Sequence, residues 1–282
     1  MDVNLKNKII IITGGAKGIG KAIACGVANE GGIPVILGRA IARGVANEGG
    51  IPVILGRSKD AGEKLQKELN DAGHDAMALC YELAAVENCK TAVSQVIDQY
   101  GQIDALVNNA GVNDGVGLEK GNPDQFKGSI GNNLFHYYYM AHYCLPNLKK
   151  SQGSILNVSS KTAITGQGNT SGYAAAKGAQ LALTREWAVE LLKYNIRVNA
   201  IVPAEVMTPL YKKWLDTFDD SSKKQKKIEK NIPLGNRMTT TKEIAAMAIF
   251  LISEQASHIT GQHIFVDGGY THLDRSISVL GD

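Results

Sequence analysis

Short runs of aliphatic and β-branched residues alternate along this chain with longer stretches in which apolar positions recur at helical spacing. KIIIIT, IPVILG, DAMALC, DALVNN, GSILNVSS, RVNAIV and HIFVDG are apolar nearly throughout. Strands covered on both faces show this pattern, whereas a half-exposed strand alternates apolar with polar residues. Between them, SKDAGEKLQKELNDAG, AVENCKTAVSQVIDQYG and GYAAAKGAQLALTREWAVELLKYN carry the helical pattern. Strand and helix in alternation predict an α/β fold, a doubly wound parallel sheet flanked by helices. No linker or low-complexity tract interrupts the 282 residues, so the expectation is a single domain over 1–282.

One strand and the helical segment before it occur twice. AIACGVANEGGIPVILGR (22–39) is followed at once by AIARGVANEGGIPVILGR (40–57), and the copies differ only at Cys25 against Arg43. This 18-residue tandem duplication lies around the first helix and second strand. Two copies are too few for a solenoid. A continuous longer helix is excluded, because Gly31, Gly32 and Pro34 interrupt it.

Composition narrows the class without naming a partner. Hydrophobic residues make up 44% and charged residues 20%, with a formal net charge of +3. That balance favours neither nucleic acid nor membrane. The run KKQKKIEK has no aromatic interleaving and reads as a solvated helix face. Cys25, Cys80, Cys89 and Cys144 form no CxxC pair and no metal-ligand cluster, so no metal is expected and the thiols read as reduced. The amino terminus enters an apolar strand without the pattern of a signal peptide, and no run approaches a membrane span; a cytoplasmic protein is the expectation.

Two constellations carry chemistry. In IIIITGGAKGIGKAIA, Gly14, Gly18 and Gly20 stand between a strand and a helix, where glycines let the backbone approach a pyrophosphate at a helix amino terminus. In SSKTAITGQGNTSGYAAAK, Tyr173 and Lys177 are four apart and share a helix face. An ammonium near a phenol favours phenolate, so a lowered phenol pKa and a general-base role for Tyr173 are expected. Ser160, ending the preceding strand, is placed to hold the reacting oxygen.

TGGAKGIG, NNAG (108–111), Asn133, Ser160, YAAAK and VDGG (266–269), in that order, resemble the short-chain dehydrogenase/reductase family over essentially the whole chain. The resemblance implies a Rossmann-like domain that transfers hydride between a CH–OH group and a nicotinamide cofactor. It implies that Asn133 anchors a water of a proton relay, Ser160 orients substrate, Tyr173 is the acid/base and Lys177 holds the nicotinamide ribose. It further implies cofactor contacts from Gly14, Lys17, Gly18, Ile19, Gly20, Glu82, Leu83, Asn109, Gly111, Pro203, Val206 and Thr208. Family members commonly form homotetramers or homodimers.

An acid at the end of the second strand favours a free ribose 2′-OH, and a cation favours a 2′-phosphate. That strand here ends LGR, so Arg39 or Arg57, with Lys17 nearby, points to NADP over NAD. Which arginine depends on the copy that fills the strand slot. The second copy is favoured, because Arg57 then runs directly into Ser58 and the next helix; the surplus would emerge between the first helix and second strand, away from the ligand crevice.

GVNDGVGLE, TGQGNTSGY, PAEVMTPLYKKWLDTF and DGGYTHLDR look like the sugar-oxidising branch of the family, bacterial L-fucose dehydrogenases in particular. That likeness implies oxidation of the anomeric hydroxyl of an aldose to a lactone. Asn113, Asp114, Gln167, Asn169 and Glu205 are candidates for sugar hydroxyls, Tyr211 or Trp214 for an apolar sugar face, and 208–237 for a substrate lid. A dehydrogenase or reductase of another alcohol or ketone (polyol, steroid, acyl), or a scaffold disabled by the duplication, stays open at this point.

Overall fold

The computed structural model describes residues 3–14 and 37–274. Seven strands, β1 (Ile9–Thr13), β2 (Ile51–Gly56), β3 (Met77–Cys80), β4 (Ala105–Asn108), β5 (Ser154–Val158), β6 (Arg197–Pro203) and β7 (His263–Val266), form one sheet in the order β3-β2-β1-β4-β5-β6-β7. Every neighbouring pair is parallel. The helices are α1 (Leu37–Asn47), α2 (Lys59–Asp71), α3 (Val86–Tyr100), α4 (Pro123–Ile130), α5 (His136–Ser151), α6 (Ser171–Glu190), α7 (Pro209–Leu215), α8 (Ser221–Glu229) and α9 (Thr241–Ile252).

The uniformly apolar β1 shows why such strands have no polar face. Ile10 and Ile12 pack into the layer of α1, α2 and α9, while Ile9 and Ile11 pack into the layer of α3 and α5. Successive side chains point to opposite faces, and both faces here are covered by helices. From β1 the chain builds outward to β2 and β3, then crosses to β4 and builds the other way. This reversal opens a crevice at the carboxyl ends of β1 and β4, the place where doubly wound sheets bind ligands.

Of the two copies, the second fills the strand slot. Ile51–Gly56 is β2, paired with β1 from Ile9↔Ile51 to Thr13↔Leu55. The same copy also supplies most of the helix before it, since α1 begins at Leu37 and Ala40, Ile41, Ala42, Val45 and Ala46 are its buried face. No surplus separates α1 from β2, and 22–36 of the first copy lie outside the described residues. This corrects the placement between first helix and second strand: α1 reaches β2 through Glu48, Gly49 and Gly50, with Gly49 in the left-handed region at φ +75°.

The one difference between the copies bears on that choice. Arg39 and Arg43 both pair with Glu68 of α2, the Arg43 contact at 2.6 Å. In the first copy Cys25 stands where Arg43 stands in the second, and a thiol makes no such ion pair. Gly44 is equally constrained: a Cβ there would lie 2.1 Å from Ile249 Cδ1, so its absence lets α1 lie against α9.

Candidate active site

The carboxyl ends of β4, β5 and β6 bring the chemistry together with the start of α6. Asn109, Gly111, Ser159, Ser160, Tyr173, Lys177, Pro203, Val206 and Tyr211 are among the residues around one cavity of about 180 Å³. Ser160 leaves β5 in extended conformation and heads a short turn over Lys161–Ala163, its Oγ accepting from the Thr162 amide and hydroxyl at 3.3 and 3.1 Å. Tyr173 and Lys177 lie one helical turn apart on α6, with the Lys177 Nζ 5.5 Å from the centre of the Tyr173 ring.

The electrostatics depart from the expected lowered phenol. Burial pushes Tyr173 up to about 12; a hydrogen bond from Ser160 pulls the other way, and the charge of Asp114 pushes it up again. Burial also pushes Lys177 down to about 7. Desolvation disfavours the charged form of both groups, and it outweighs the attraction between phenolate and ammonium that spacing alone suggests.

Asn133 sits wholly buried in a π-helical turn, Gly131–Phe135, between α4 and α5. Such turns widen a helix by one residue and concentrate at functional sites. Its Oδ1 accepts from the Val112 amide at 2.6 Å and its Nδ2 donates to the Ser129 carbonyl at 2.9 Å. Its main-chain carbonyl accepts from Gln180 Nε2 at 2.6 Å. Lys177 in turn donates to the Val158 carbonyl at 2.7 Å, Gln180 Oε1 at 3.2 Å and the Tyr137 hydroxyl at 3.3 Å. Gln180 and Tyr137 were not singled out from sequence. The available signal for Gln180 was a polar side chain three residues after Lys177, on the same helix face.

On the nucleotide side, Gly14 follows β1 with φ +67°, and its amide donates to Leu55 of β2 at 2.7 Å. The Asn109 amide group caps that turn by donating to the Thr13 and Gly14 carbonyls at 2.9 and 3.3 Å, so Asn109 shapes the crevice as well as lining it. A Cβ on Gly111 would lie 3.0 Å from Asn133 Oδ1. Lys17, Gly18, Ile19 and Gly20 lie outside the described residues.

Arg57 follows β2 and pairs with Glu82, after β3, at 3.3 Å; the two side chains are 54% and 51% exposed, open to a ligand. Arg39 is corrected: it is a first-turn residue of α1, 4% exposed at its side chain and held by Glu68, with no strand end to present it. Leu83 is buried among α3 residues, so its side chain serves the core. Thr208 caps α7 by accepting from the Tyr211 amide at 3.1 Å. Tested against a dinucleotide, the donor set fits: a guanidinium waits at one end of the crevice, and Ser160, Tyr173 and Lys177 line a cavity at the other.

The sugar candidates divide. Tyr211 lines the cavity and its phenol bonds the Glu205 carboxylate, which together with burial pushes that phenol well above its ordinary value. Glu205 also pairs with Lys161 of the Ser160 turn, both largely buried, and the Lys161 ammonium lies 4.1 Å from the centre of the Tyr270 ring. Asp114 accepts from Ser129 at 2.8 Å, and Asn113 accepts from the Gly115 amide at 3.3 Å. Gln167 is exposed and Asn169 adopts φ +54° in the same loop. Trp214 packs edge-on against Tyr211 at 5.2 Å but does not reach the cavity wall. Around them α7, α8 and the chain to Met238 gather a small apolar cluster of Leu215, Ile232 and Met238, distinct from the cores on the sheet.

Comparison with known proteins agrees with this architecture. A family model described as enoyl-(acyl carrier protein) reductase matches residues 26–271, beginning inside the first copy. The chain is 33% identical to the 3-oxoacyl-(acyl-carrier-protein) reductase FabG of Thermotoga maritima, covering 95% of this chain and 99% of that one. It is 32% identical to the L-fucose dehydrogenase of Bos taurus, covering 95% and 91%. Among solved structures, Cj0485 dehydrogenase matches with TM-score 0.87 and 49% identity over 98% of each chain. L-Sorbose reductase from Gluconobacter frateurii, complexed with NADPH and L-sorbose, matches with TM-score 0.86 and 25% identity over 97% of this chain and all of that one. Among the described residues, no helix is long and apolar enough to cross a membrane. With a seven-stranded parallel sheet of this order and relatives aligned over nearly its full length, the chain belongs to the short-chain dehydrogenase/reductase family and is an NAD(P)-dependent oxidoreductase acting on CH–OH groups.

Proposed function

We propose that the protein oxidises the anomeric hydroxyl of an aldose such as L-fucose to the lactone, with NADP as acceptor. The observation that carries the chemistry is the convergence of Ser160, Tyr173 and Lys177 on one cavity. The Ser160 hydroxyl orients the substrate oxygen, the Tyr173 phenolate accepts its proton, and the anomeric carbon releases hydride as its C–O bond becomes the lactone carbonyl. When bound, the oxidised nicotinamide supplies the hydride acceptor. Lys177 holds the nicotinamide ribose, and Ser160 and a charged Lys177 both favour the phenolate that Tyr173 needs.

The sugar reading rests on the polar groups that line the cavity, among them Tyr211, whose phenol bonds the Glu205 carboxylate behind it, and on relatives named for L-fucose and L-sorbose. A hydroxylated substrate suits a wall of bonded polar groups better than an apolar acyl chain does. NADP is favoured by Arg57 at the end of β2, which offers a guanidinium to a 2′-phosphate. We further propose a homodimer or homotetramer that uses the α5–α6 face, where Phe135, Tyr138 and Val189 are exposed.

The test is a panel of aldoses, polyols, hydroxysteroids and a 3-oxoacyl thioester with each cofactor, followed by absorbance of the reduced nicotinamide. Turnover of L-fucose or a stereochemical relative with NADP is expected. Turnover confined to steroids or acyl thioesters would overturn the sugar assignment, and a monomeric mass by light scattering would overturn the assembly.

A further inference from the structure

Gln180 is wholly buried on α6, and both ends of its carboxamide are in use. Oε1 accepts from the Lys177 ammonium and Nε2 donates to the Asn133 carbonyl. That orientation is forced, because an ammonium only donates and a carbonyl only accepts, so the flipped amide would satisfy neither partner. The other acceptors on Lys177 are also neutral: the Val158 carbonyl and the Tyr137 hydroxyl, whose own proton goes to that same carbonyl at 2.9 Å.

Among the described residues, the titratable groups around this ammonium offer it no carboxylate bond. From its own helix it faces Tyr173; from α5 it faces Tyr137 and His136, which burial pushes down to about 4 and so keeps neutral. From the segment after β4, Asp114 acts on Tyr173 and is bonded to Ser129. An ammonium desolvated to this degree stays protonated only through the dipoles that accept from it.

We infer that Gln180 is a positioning residue for hydride transfer: its amide ties Lys177 to the Asn133 turn and keeps the ammonium charged beside Tyr173. This rests on the reading that Lys177 and Tyr173 serve that reaction. The test, however, requires neither substrate nor cofactor.

The full chain is labelled with 13Cε-lysine and titrated by NMR from about pH 5 to 11, a range that spans a buried and an ordinary lysine. The Lys177 signal is identified by its loss in Lys177→Met. Gln180→Met keeps the length and removes the acceptor, and is expected to lower the Lys177 midpoint by about one pH unit, tenfold in acidity. Gln180→Glu places a charge at the same distance and is expected to raise the midpoint above that of the unaltered protein. A residue that only fills space would lower the melting temperature and leave both midpoints in place, and that result would overturn the inference. If Gln180→Met fails to fold, an unmoved midpoint in Gln180→Glu overturns it alone.

Discussion

On the β4–β5–β6 side of the crevice, polar side chains are buried and bonded in series, whereas on the β1–β2–β3 side the strand-end Arg57 and Glu82 are about half exposed and pair with each other. Asn108 donates to Asn157, Asn157 to Thr184, and Thr184 to the Gln180 carbonyl, at 3.1, 3.0 and 2.8 Å. Only Asn108 Oδ1 in this series lacks a partner. Arg57 and Glu82 form a single contact at 3.3 Å that solvent screens. A buried, satisfied network holds reacting groups to one geometry, while an exposed pair can open for a ligand at small cost.

The comparison breaks most sharply at Tyr173. Tyr173→Phe is expected to lower turnover by about 10³-fold while nicotinamide binding, followed by fluorescence, stays nearly unchanged. Next comes Arg57→Ala, expected to weaken NADP about 10- to 100-fold and NAD hardly at all, since a charge-assisted bond to the 2′-phosphate is lost. Equal effects on both cofactors, measured by KM, would remove Arg57 from the 2′-phosphate.

Deleting residues 22–39 joins Lys21 directly to Ala40 and puts Ile19, Gly20 and Lys21 in place of Leu37, Gly38 and Arg39 at the start of α1. It is expected to tighten dinucleotide binding about tenfold by calorimetry, through preorganisation, and to leave turnover of bound substrate unchanged. Smallest is Glu68→Gln, expected to lower stability by about 1 kcal/mol by releasing Arg39 and Arg43. Burial would raise the Glu68 pKa, but its bonds to the two arginines bring it below the ordinary value. A depressed carboxylate stabilises the fold above its unfolded pKa and loses that contribution as pH falls through the folded one. Melts should therefore differ at pH near 7 and converge below about pH 3.

What was legible in the sequence depended on how local the cause was. The strands were legible because parallel strands buried on both faces cannot hide their composition. The Tyr173–Lys177 pair was legible because four residues on a helix is one turn. The segment from Pro123 to Ser151 was not, because Gly128, Gly131 and a run of aromatic residues obscure the helical period. A capping box of Asn122 with Gln125 marks its start in the structure. Gln180 was missed because its partner Asn133 is 47 residues away. The Tyr173 pKa was misjudged because desolvation is a property of surroundings that spacing does not contain.

The duplication divides the two sources of information most plainly. Sequence by itself determined that two nearly identical segments compete for one strand slot, and that the residues for hydride transfer lie downstream of both. It favoured the second copy only because Arg57 runs directly into Ser58 and the ligand crevice is spared, since the apolar patterns of the copies are the same and the loop penalty grows only logarithmically with length. Tertiary structure decided. Glu68 of α2 meets Arg43 where the first copy has Cys25, and the second copy supplies most of α1 together with β2, so that Arg57 follows β2 half exposed and Arg39 is buried in α1. Such a choice turns on which groups meet across the fold, and a chain pattern carries no record of that.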